Sequence, residues 1–275
     1  MELRQAFVLI TVSLALPVLA HTDVSAGAHP RSTISQQTGN TAAKPATPVL
    51  VELFTSEGCS SCPPADALLA QINARQPVKG AEAIILEEHV DYWDNQGWRD
   101  PFASATATQR QEDYAKTIRA EVYTPQMIVD GRTDVLGSDQ RAAERAIEKA
   151  SSTPKTELEL SWVGTTNTMG GPKLLRVRAG KLSGGDKAEV FMAITESHLH
   201  SDVKRGENAG RGLEHDGVVR KFTSLGKTTG SGEYSFDAQS AVKLSPDWKR
   251  EYIRVVVFVQ DVRSRRIYAA TSTTY

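Results

Sequence analysis

Apolar and polar positions follow two different periods along the chain, and the first half shows both. Val49–Phe54 is a short, almost wholly apolar run rich in β-forming residues, which predicts a buried strand. Ala65–Ile72 then carries apolar residues at helical spacing after two prolines, which a helix tolerates in its first turn. Similar patterns predict strands near 83–90, 126–130 and 133–136, and helices near 102–120 and 138–151. This alternation of strands and helices predicts an α/β layer structure.

After Ser151-Ser152-Thr153-Pro154 the helical period disappears. Apolar residues then alternate with polar ones in about seven short segments, which are separated by glycine-rich or charged turns. This pattern predicts an all-β antiparallel, sandwich-like domain. We therefore predict two domains, an α/β domain over 48–152 and a β domain over 153–275.

The amino-terminal segment indicates export. A short polar start with one arginine precedes the apolar run Ala6–Leu19, and small residues end at Ala20. This pattern predicts a cleavable signal peptide over 1–20, cut after Ala20, whose apolar run is too short for a permanent membrane span. Residues 21–47 are rich in small polar residues and proline without any aromatic residue, which predicts a disordered linker. We therefore expect a periplasmic or secreted protein.

Charge excludes one class of partner. The chain carries 32 basic and 33 acidic residues, for a formal net charge of −1, and the two signs are well mixed. Nucleic-acid binding requires a basic patch, which this sequence does not have. No motif calls for a cofactor, so none is predicted.

The two cysteines of the chain, Cys59 and Cys62, lie at the predicted junction between the first strand and the first helix. A helix amino terminus offers unpaired N–H groups and a partial positive charge, and both stabilise a thiolate. Ser61 keeps its backbone N–H, which a proline at that position would remove. The spacing predicts a redox-active pair in which Cys59 is the attacking thiol and Cys62 the resolving thiol.

Two other interpretations of the cysteine pair stay open. The pair can be an inert disulfide in a turn, or one half of a zinc site with four ligands. Zinc is disfavoured because the sequence holds no second cysteine pair and no His-x-x-x-His spacing. The metal-site prediction is therefore negative.

Tyr123-Thr124-Pro125-Gln126 resembles the segment of the thioredoxin superfamily in which a cis-proline precedes a strand. The resemblance implies that Pro125 packs beside the cysteines and that Thr124 faces the substrate. It also implies that Glu52 is a buried acid that relays a proton for the resolving thiol. A trans proline at an edge strand and a solvent-facing glutamate are the alternatives.

Nearly the whole chain from residue 48 onward is similar to a narrower group, the secreted bacterial proteins of the domain of unknown function 1223 family. The motifs that carry the resemblance are Val51–Asp66, His89–Trp93, Tyr123–Gln126, Gly206–Arg211, His215 and Val218–Arg220. The resemblance implies a thioredoxin-like α/β domain and says little about activity. Tyr92 and Trp93 follow a predicted strand, where α/β folds place ligand contacts, so they are candidates for substrate binding or for anchoring the neighbouring helix.

Three functions compete at this stage. The first is a thiol–disulfide oxidoreductase whose partners are protein thiols or disulfides, or a redox partner protein. The second is a non-catalytic binding or assembly module with a structural disulfide. The third is a copper-handling protein that uses the reduced pair, together with His89.

Overall fold

The computed structural model describes residues 45–164, 171–182, 187–229 and 233–275. The predicted signal peptide over 1–20 and the predicted linker up to residue 44 lie outside the described residues. In the described part of the chain, no helix is long and apolar enough to cross a membrane.

The first half of the chain alternates strands and helices. Its elements are β1 (Thr47–Thr55), α1 (Pro63–Arg75), β2 (Ala81–His89), α2 (Ala105–Ile118), β3 (Gln126–Val129), β4 (Thr133–Leu136) and α3 (Gln140–Ser151). Local signals fix the helix starts: two prolines open α1, and the side chains of Ser104 and Asp139 cap α2 and α3 by accepting from backbone N–H groups. The predicted segments are confirmed here to within a few residues.

The second half consists of strands joined by turns. Its strands are β5 (Leu158–Val163), β6 (Lys173–Ala179), β7 (Ala188–Glu196), β8 (Leu199–Asp202), β9 (Gly212–His215), β10 (Val218–Lys227), β11 (Phe236–Val242), β12 (Ile253–Asp261) and β13 (Ile267–Thr274). Strands β5, β6 and β11 form a three-stranded sheet, and β8 pairs with β9 in a small ribbon.

One mixed sheet of eight strands joins the two halves of the chain. Its order is β13-β12-β7-β10-β2-β1-β3-β4. The junction is short: β10 runs parallel to β2, where Val218 pairs with Glu87, and Gly217 O accepts a hydrogen bond from Glu87 N at 2.9 Å. Strands from the second half therefore extend the sheet of the first half.

The predicted fold class, a thioredoxin-like α/β domain followed by an antiparallel β-sandwich, is wrong. Strands hold 41% of the described residues and helices 19%, and a large mixed sheet dominates the architecture. The physical reason is that β2 has an open edge, which β10 occupies. Alternation along the sequence predicts a strand but not the edge with which that strand pairs.

The two faces of β1 contact different helices, which determines the helix that each side chain of β1 can contact. Val49, Val51 and Leu53 pack with residues of α1 and α3 in one apolar cluster. Phe54, on the opposite face, packs with Tyr114 of α2. Side chains alternate between the faces of a strand, so Glu52 shares the face of Phe54 and α2, whereas the odd-numbered residues share the face of α1 and α3.

Candidate functional site

Cys59 and Cys62 form a disulfide at the amino end of α1. Cys62 is the residue that caps α1, and Pro63 is the first helical residue. Ser61 Oγ lies 3.4 Å from Cys59 Sγ. The bond therefore lies at the positive end of the helix dipole, where a thiolate released by reduction would be stabilised.

A segment from the second half covers this disulfide. We call Val203–Arg211 the cap. Asn208 Nδ2 donates to Glu57 O at 2.8 Å and to Cys59 O at 2.9 Å, and Glu207 Oε2 accepts from Ser60 N at 3.1 Å. Asn208 and Cys59 are each only 1% exposed. Because Cys59 is buried and the cap is hydrogen-bonded to its loop, we expect attack on Cys59 Sγ by another molecule to require movement of the cap.

Asp66 is a buried acid on the helix that carries Cys62. The two residues are four positions apart and so share a face of α1. Thr55 Oγ1 donates to Asp66 Oδ1 at 2.6 Å. Burial, together with the negative charge of Glu87, raises the pKa of Asp66 to about 7. This carboxyl can therefore exchange a proton near neutral pH.

Glu52, the acid implied by the resemblance, lies on the other face of β1. Its carboxylate accepts from Arg110 Nε at 2.6 Å and from the Tyr114 hydroxyl, and both donors belong to α2. The structure thus separates Glu52 from the α1 face that carries Cys62 and Asp66.

Thr124, Pro125 and Trp93 gather beside the cysteine loop. The Thr124–Pro125 peptide bond is cis. A methyl group on Gly137 would lie 3.1 Å from Cβ of both Ala65 and Pro125, which places Pro125 beside the first turn of α1.

Two aromatic residues, Trp93 and Tyr92, lie close to this part of the site. Trp93 Nε1 donates to Thr124 Oγ1 at 2.9 Å, and a methyl group on Gly58 would lie 3.0 Å from Trp93 Cβ. Tyr92 is more exposed, and its hydroxyl donates to Gln111 Oε1 at 3.2 Å. Trp93 thus contacts the cysteine loop at Gly58 and binds Thr124, whereas Tyr92 contacts α2.

A closed ring of buried polar residues lies under the cysteine loop. We call Glu57, Glu87, His89, Asp100 and His215 the buried ring. Glu87 Oε1 lies 2.6 Å from His215 Nδ1 and 3.1 Å from His89 Nε2. Asp100 Oδ2 lies 2.7 Å from His89 Nδ1 and accepts from Glu57 N at 2.8 Å. Glu57 Oε1 closes the ring at 3.4 Å from His215 Nε2.

Contacts within the buried ring shift the pKa values of Glu87 and His215. Burial alone would raise the pKa of Glu87, but hydrogen bonds from His215 and His89 lower it to about 2. Burial alone would lower the pKa of His215, but its contacts with Glu57 and Glu87 raise it to about 9. The contacts between Glu87 and the two histidines thus favour the ionised form of the Glu87 carboxyl and the protonated form of His215. Glu87, His89 and His215 also present three ligand atoms near one point, as a metal site would require.

Sequence reasoning missed Glu57, Asp66, Glu87, Asp100 and Asn208. One signal was present: Glu87, Glu88 and His89 end an apolar run predicted to be a buried strand. Charged residues are almost never fully buried unless they are paired, so this run indicates a buried polar site. No local pattern identifies Asn208, because its partners lie far away along the chain.

Comparisons with known proteins identify relatives without a described activity. The family model for proteins of unknown function DUF1223 matches residues 50–260. The crystal structure of protein AGR_C_4864 from Agrobacterium tumefaciens is similar, with 27% identity, a TM-score of 0.62 and coverage of 84% of this chain and 95% of that one.

A more distant structure is a domain of the outer membrane lipoprotein Omp28 from Porphyromonas gingivalis. It has 19% identity, a TM-score of 0.24 and coverage of 44% of this chain and 88% of that one. No curated protein matches the chain. The match over residues 50–260 covers most of the sequence, and the chain therefore belongs to the DUF1223 family of proteins of unknown function.

Proposed function

We propose that this protein is an exported thiol–disulfide oxidoreductase that exchanges the Cys59–Cys62 bond with thiols of a client or redox partner protein. The observation that carries the proposal is the position of the disulfide at the amino end of α1, with Asp66 buried on the same helix face. The helix terminus favours the thiolate form of Cys59, and Asp66 is a group that can take up or release the proton of Cys62.

The exchange proceeds in two balanced steps. A client thiolate attacks Cys59 Sγ, the Cys59–Cys62 bond breaks, and Cys62 leaves as a thiolate that takes a proton from Asp66. A second client thiolate then attacks the client sulfur of the mixed disulfide, and Cys59 leaves as a thiolate. The client loses two electrons and the cysteine pair gains them; the reverse sequence reduces a client disulfide.

One observation favours the second candidate, a binding module with a structural disulfide. Cys59 is 1% exposed beneath the cap, so no protein thiol reaches it in this conformation. The two candidates differ in whether the cap opens while the rest of the chain stays folded.

We expect the disulfide to equilibrate with glutathione buffers without unfolding, at a potential above about −300 mV, the level below which structural disulfides lie. The thiolate stabilisation at α1 is the reason. Redox state is measured by alkylation and mass spectrometry, and folding by near-ultraviolet circular dichroism of the same samples.

The matched variants are Cys62→Ser and Cys59→Ser. We expect Cys62→Ser to accumulate a mixed disulfide with oxidised glutathione and Cys59→Ser to accumulate much less, because Cys59 is the proposed attacking thiol and Ser61 Oγ lies 3.4 Å from its sulfur. Reduction that occurs only together with unfolding would instead support the structural disulfide.

A further inference from the structure

We propose that Glu87, His89 and His215 form a binding site for a divalent first-row transition-metal ion, separate from the cysteine pair. Each of the three buried side chains offers one ligand atom, and these atoms all lie within 4.8 Å of one another. Glu87 Oε1 lies 3.1 Å from His89 Nε2 and 2.6 Å from His215 Nδ1. Two imidazole nitrogens and one carboxylate oxygen are a donor set that such ions take in proteins.

Each proposed ligand is held by a second group, as metal ligands usually are. Asp100 Oδ2 lies 2.7 Å from His89 Nδ1 and thereby leaves Nε2 to face the site. Asp216 N donates to Glu87 Oε2 at 3.0 Å, which leaves Oε1 to face the site. Two elements, β2 with Glu87 and His89 and β9 with His215, thus bring their ligand atoms close together.

The third proposed ligand, His215, takes part in a contact between two buried atoms that have no hydrogen-bond partner in the described part of the chain. Among the described residues, His215 Nε2 and Glu57 Oε1 are buried without a hydrogen-bond partner, and they face each other at 3.4 Å. A His215 that binds a metal through Nδ1 carries its proton on Nε2, where it points at Glu57 Oε1. Trp98 Nε1 holds the other oxygen of Glu57 at 2.7 Å. With a metal bound at Nδ1, His215 Nε2 would therefore be a hydrogen-bond donor and Glu57 Oε1 its acceptor.

Charge also suits a divalent cation. The buried ring contains three carboxylates, those of Glu57, Glu87 and Asp100, and buried carboxylates require compensating positive charge. A divalent ion would supply two positive charges at the point where the three ligand atoms meet.

Only small movements are needed to bind the ion. In a tetrahedral site, bonds of about 2.1 Å place two ligand atoms about 3.4 Å apart. Glu87 Oε1 and His215 Nδ1 must move apart from 2.6 Å, and a separation as wide as 4.8 Å must close by about 1.4 Å. The ion would connect β2 to the end of β9.

The test uses Co²⁺ as the probe, added by equilibrium dialysis to the oxidised full chain. We expect one Co²⁺ per chain and a higher unfolding temperature, because the ion binds the folded state. The visible spectrum should lack a sulfur-to-cobalt band. Paramagnetic proton NMR should show two shifted imidazole N–H signals, one from each histidine.

Variants separate this site from other possible ones. His89→Gln and His215→Gln should abolish binding, and Asp100→Asn should weaken it about 10–100-fold through loss of the second contact. His200→Gln is the matched control, because His200 is exposed between Glu214 and Asp202, and it should bind Co²⁺ as the unchanged chain does. The Cys59→Ser/Cys62→Ser double variant should also bind, whatever the outcome of the redox experiment.

Three results would overturn the metal site. The first is a folded wild-type chain that retains no Co²⁺. The second is binding that persists in folded His89→Gln and His215→Gln variants. If those variants do not fold, a Co²⁺ form of the wild type without two shifted imidazole signals overturns it equally.

Discussion

Replacing Arg110 with methionine is expected to lower the free energy of unfolding by about 3–5 kcal/mol, the cost of leaving buried charge without its partner. Arg110 is 6% exposed. Its Nε lies 2.6 Å from Glu52 Oε1 and 3.4 Å from Glu88 Oε1, and both carboxyls are buried. Methionine keeps much of the side-chain volume but leaves two acids without a cation.

The rest of the Arg110 environment adds to this loss. The guanidinium donates to Gln260 Oε1 at 3.1 Å and to the Tyr114 hydroxyl at 2.8 Å, and it lies 4.8 Å from the ring centre of Phe222. These partners come from α2, β10 and β12. A single cation thus connects elements from both halves of the chain.

The measurement is urea unfolding at neutral pH, with Arg176→Met as the matched control. Arg176 also pairs with a carboxylate, Asp237, at 2.8 Å, but both side chains are about one-third exposed. We expect the control to lose much less stability than Arg110→Met, because solvent screens an exposed ion pair. Adding Glu52→Gln to Arg110→Met should recover part of the loss, because one uncompensated acid is removed. Equal losses for the two arginine variants would show that burial of the pair does not matter.

Glu52 illustrates what sequence can and cannot predict. Its position in β1 was predicted to within a residue, because the apolar run marks the strand clearly. Its partner, Arg110, was not predicted. Alternation along a strand shows which residues share a face with Glu52, but it does not show which helix covers that face. Arg110 lies far along the chain in a helix whose apolar positions alone gave no reason to expect a buried cation.

The eight-stranded sheet shows the same limit on a larger scale. Alternating apolar residues mark β6 as a strand, and a continuous apolar run marks β12. The pairing of β10 with β2 depends on a short junction at Val218 and Glu87, which leaves no periodic signal in either strand. Local propensity specifies elements, whereas the pairing of distant edges is decided by the whole chain.

The candidate site likewise contains some residues that the sequence identifies and others that it does not. Cys59, Cys62 and Pro125 are recognisable because their chemistry depends on neighbours in sequence. His215 and Asn208 reach the site from the second half, through contacts that exist only once the sheet has formed. The proposed metal ligands therefore escape a search for close histidine spacings.

Replacing Asn208 with alanine is expected to accelerate reduction of the Cys59–Cys62 bond by dithiothreitol about 30-fold. The side chain donates to Glu57 O at 2.8 Å and to Cys59 O at 2.9 Å. A hydrogen bond contributes about 1 kcal/mol net, so loss of two lowers the free energy of cap opening by about 2 kcal/mol. Every 1.4 kcal/mol is tenfold in an equilibrium constant, which gives the expected factor of about 30.

This result depends on how the sulfur becomes accessible. Because Cys59 is buried, the rate of reduction follows the population of the open form when the cap opens and closes quickly. Opening of the cap alone exposes little surface, so the rate should change little with low concentrations of urea, whereas reduction through global unfolding would rise steeply. The rate is read from alkylated samples by mass spectrometry.

Asn95→Ala is the control for the cap, because Asn95 is an exposed asparagine in the loop that carries Trp93 and Trp98. It should react at the wild-type rate. Glu207→Gln should give a smaller acceleration than Asn208→Ala, since the amide oxygen still accepts from Ser60 N while the carboxylate charge is lost. An Asn208→Ala rate within twofold of wild type would mean that the cap does not limit access to the disulfide. A rise that matches a parallel loss of global stability would instead assign Asn208 a purely structural role.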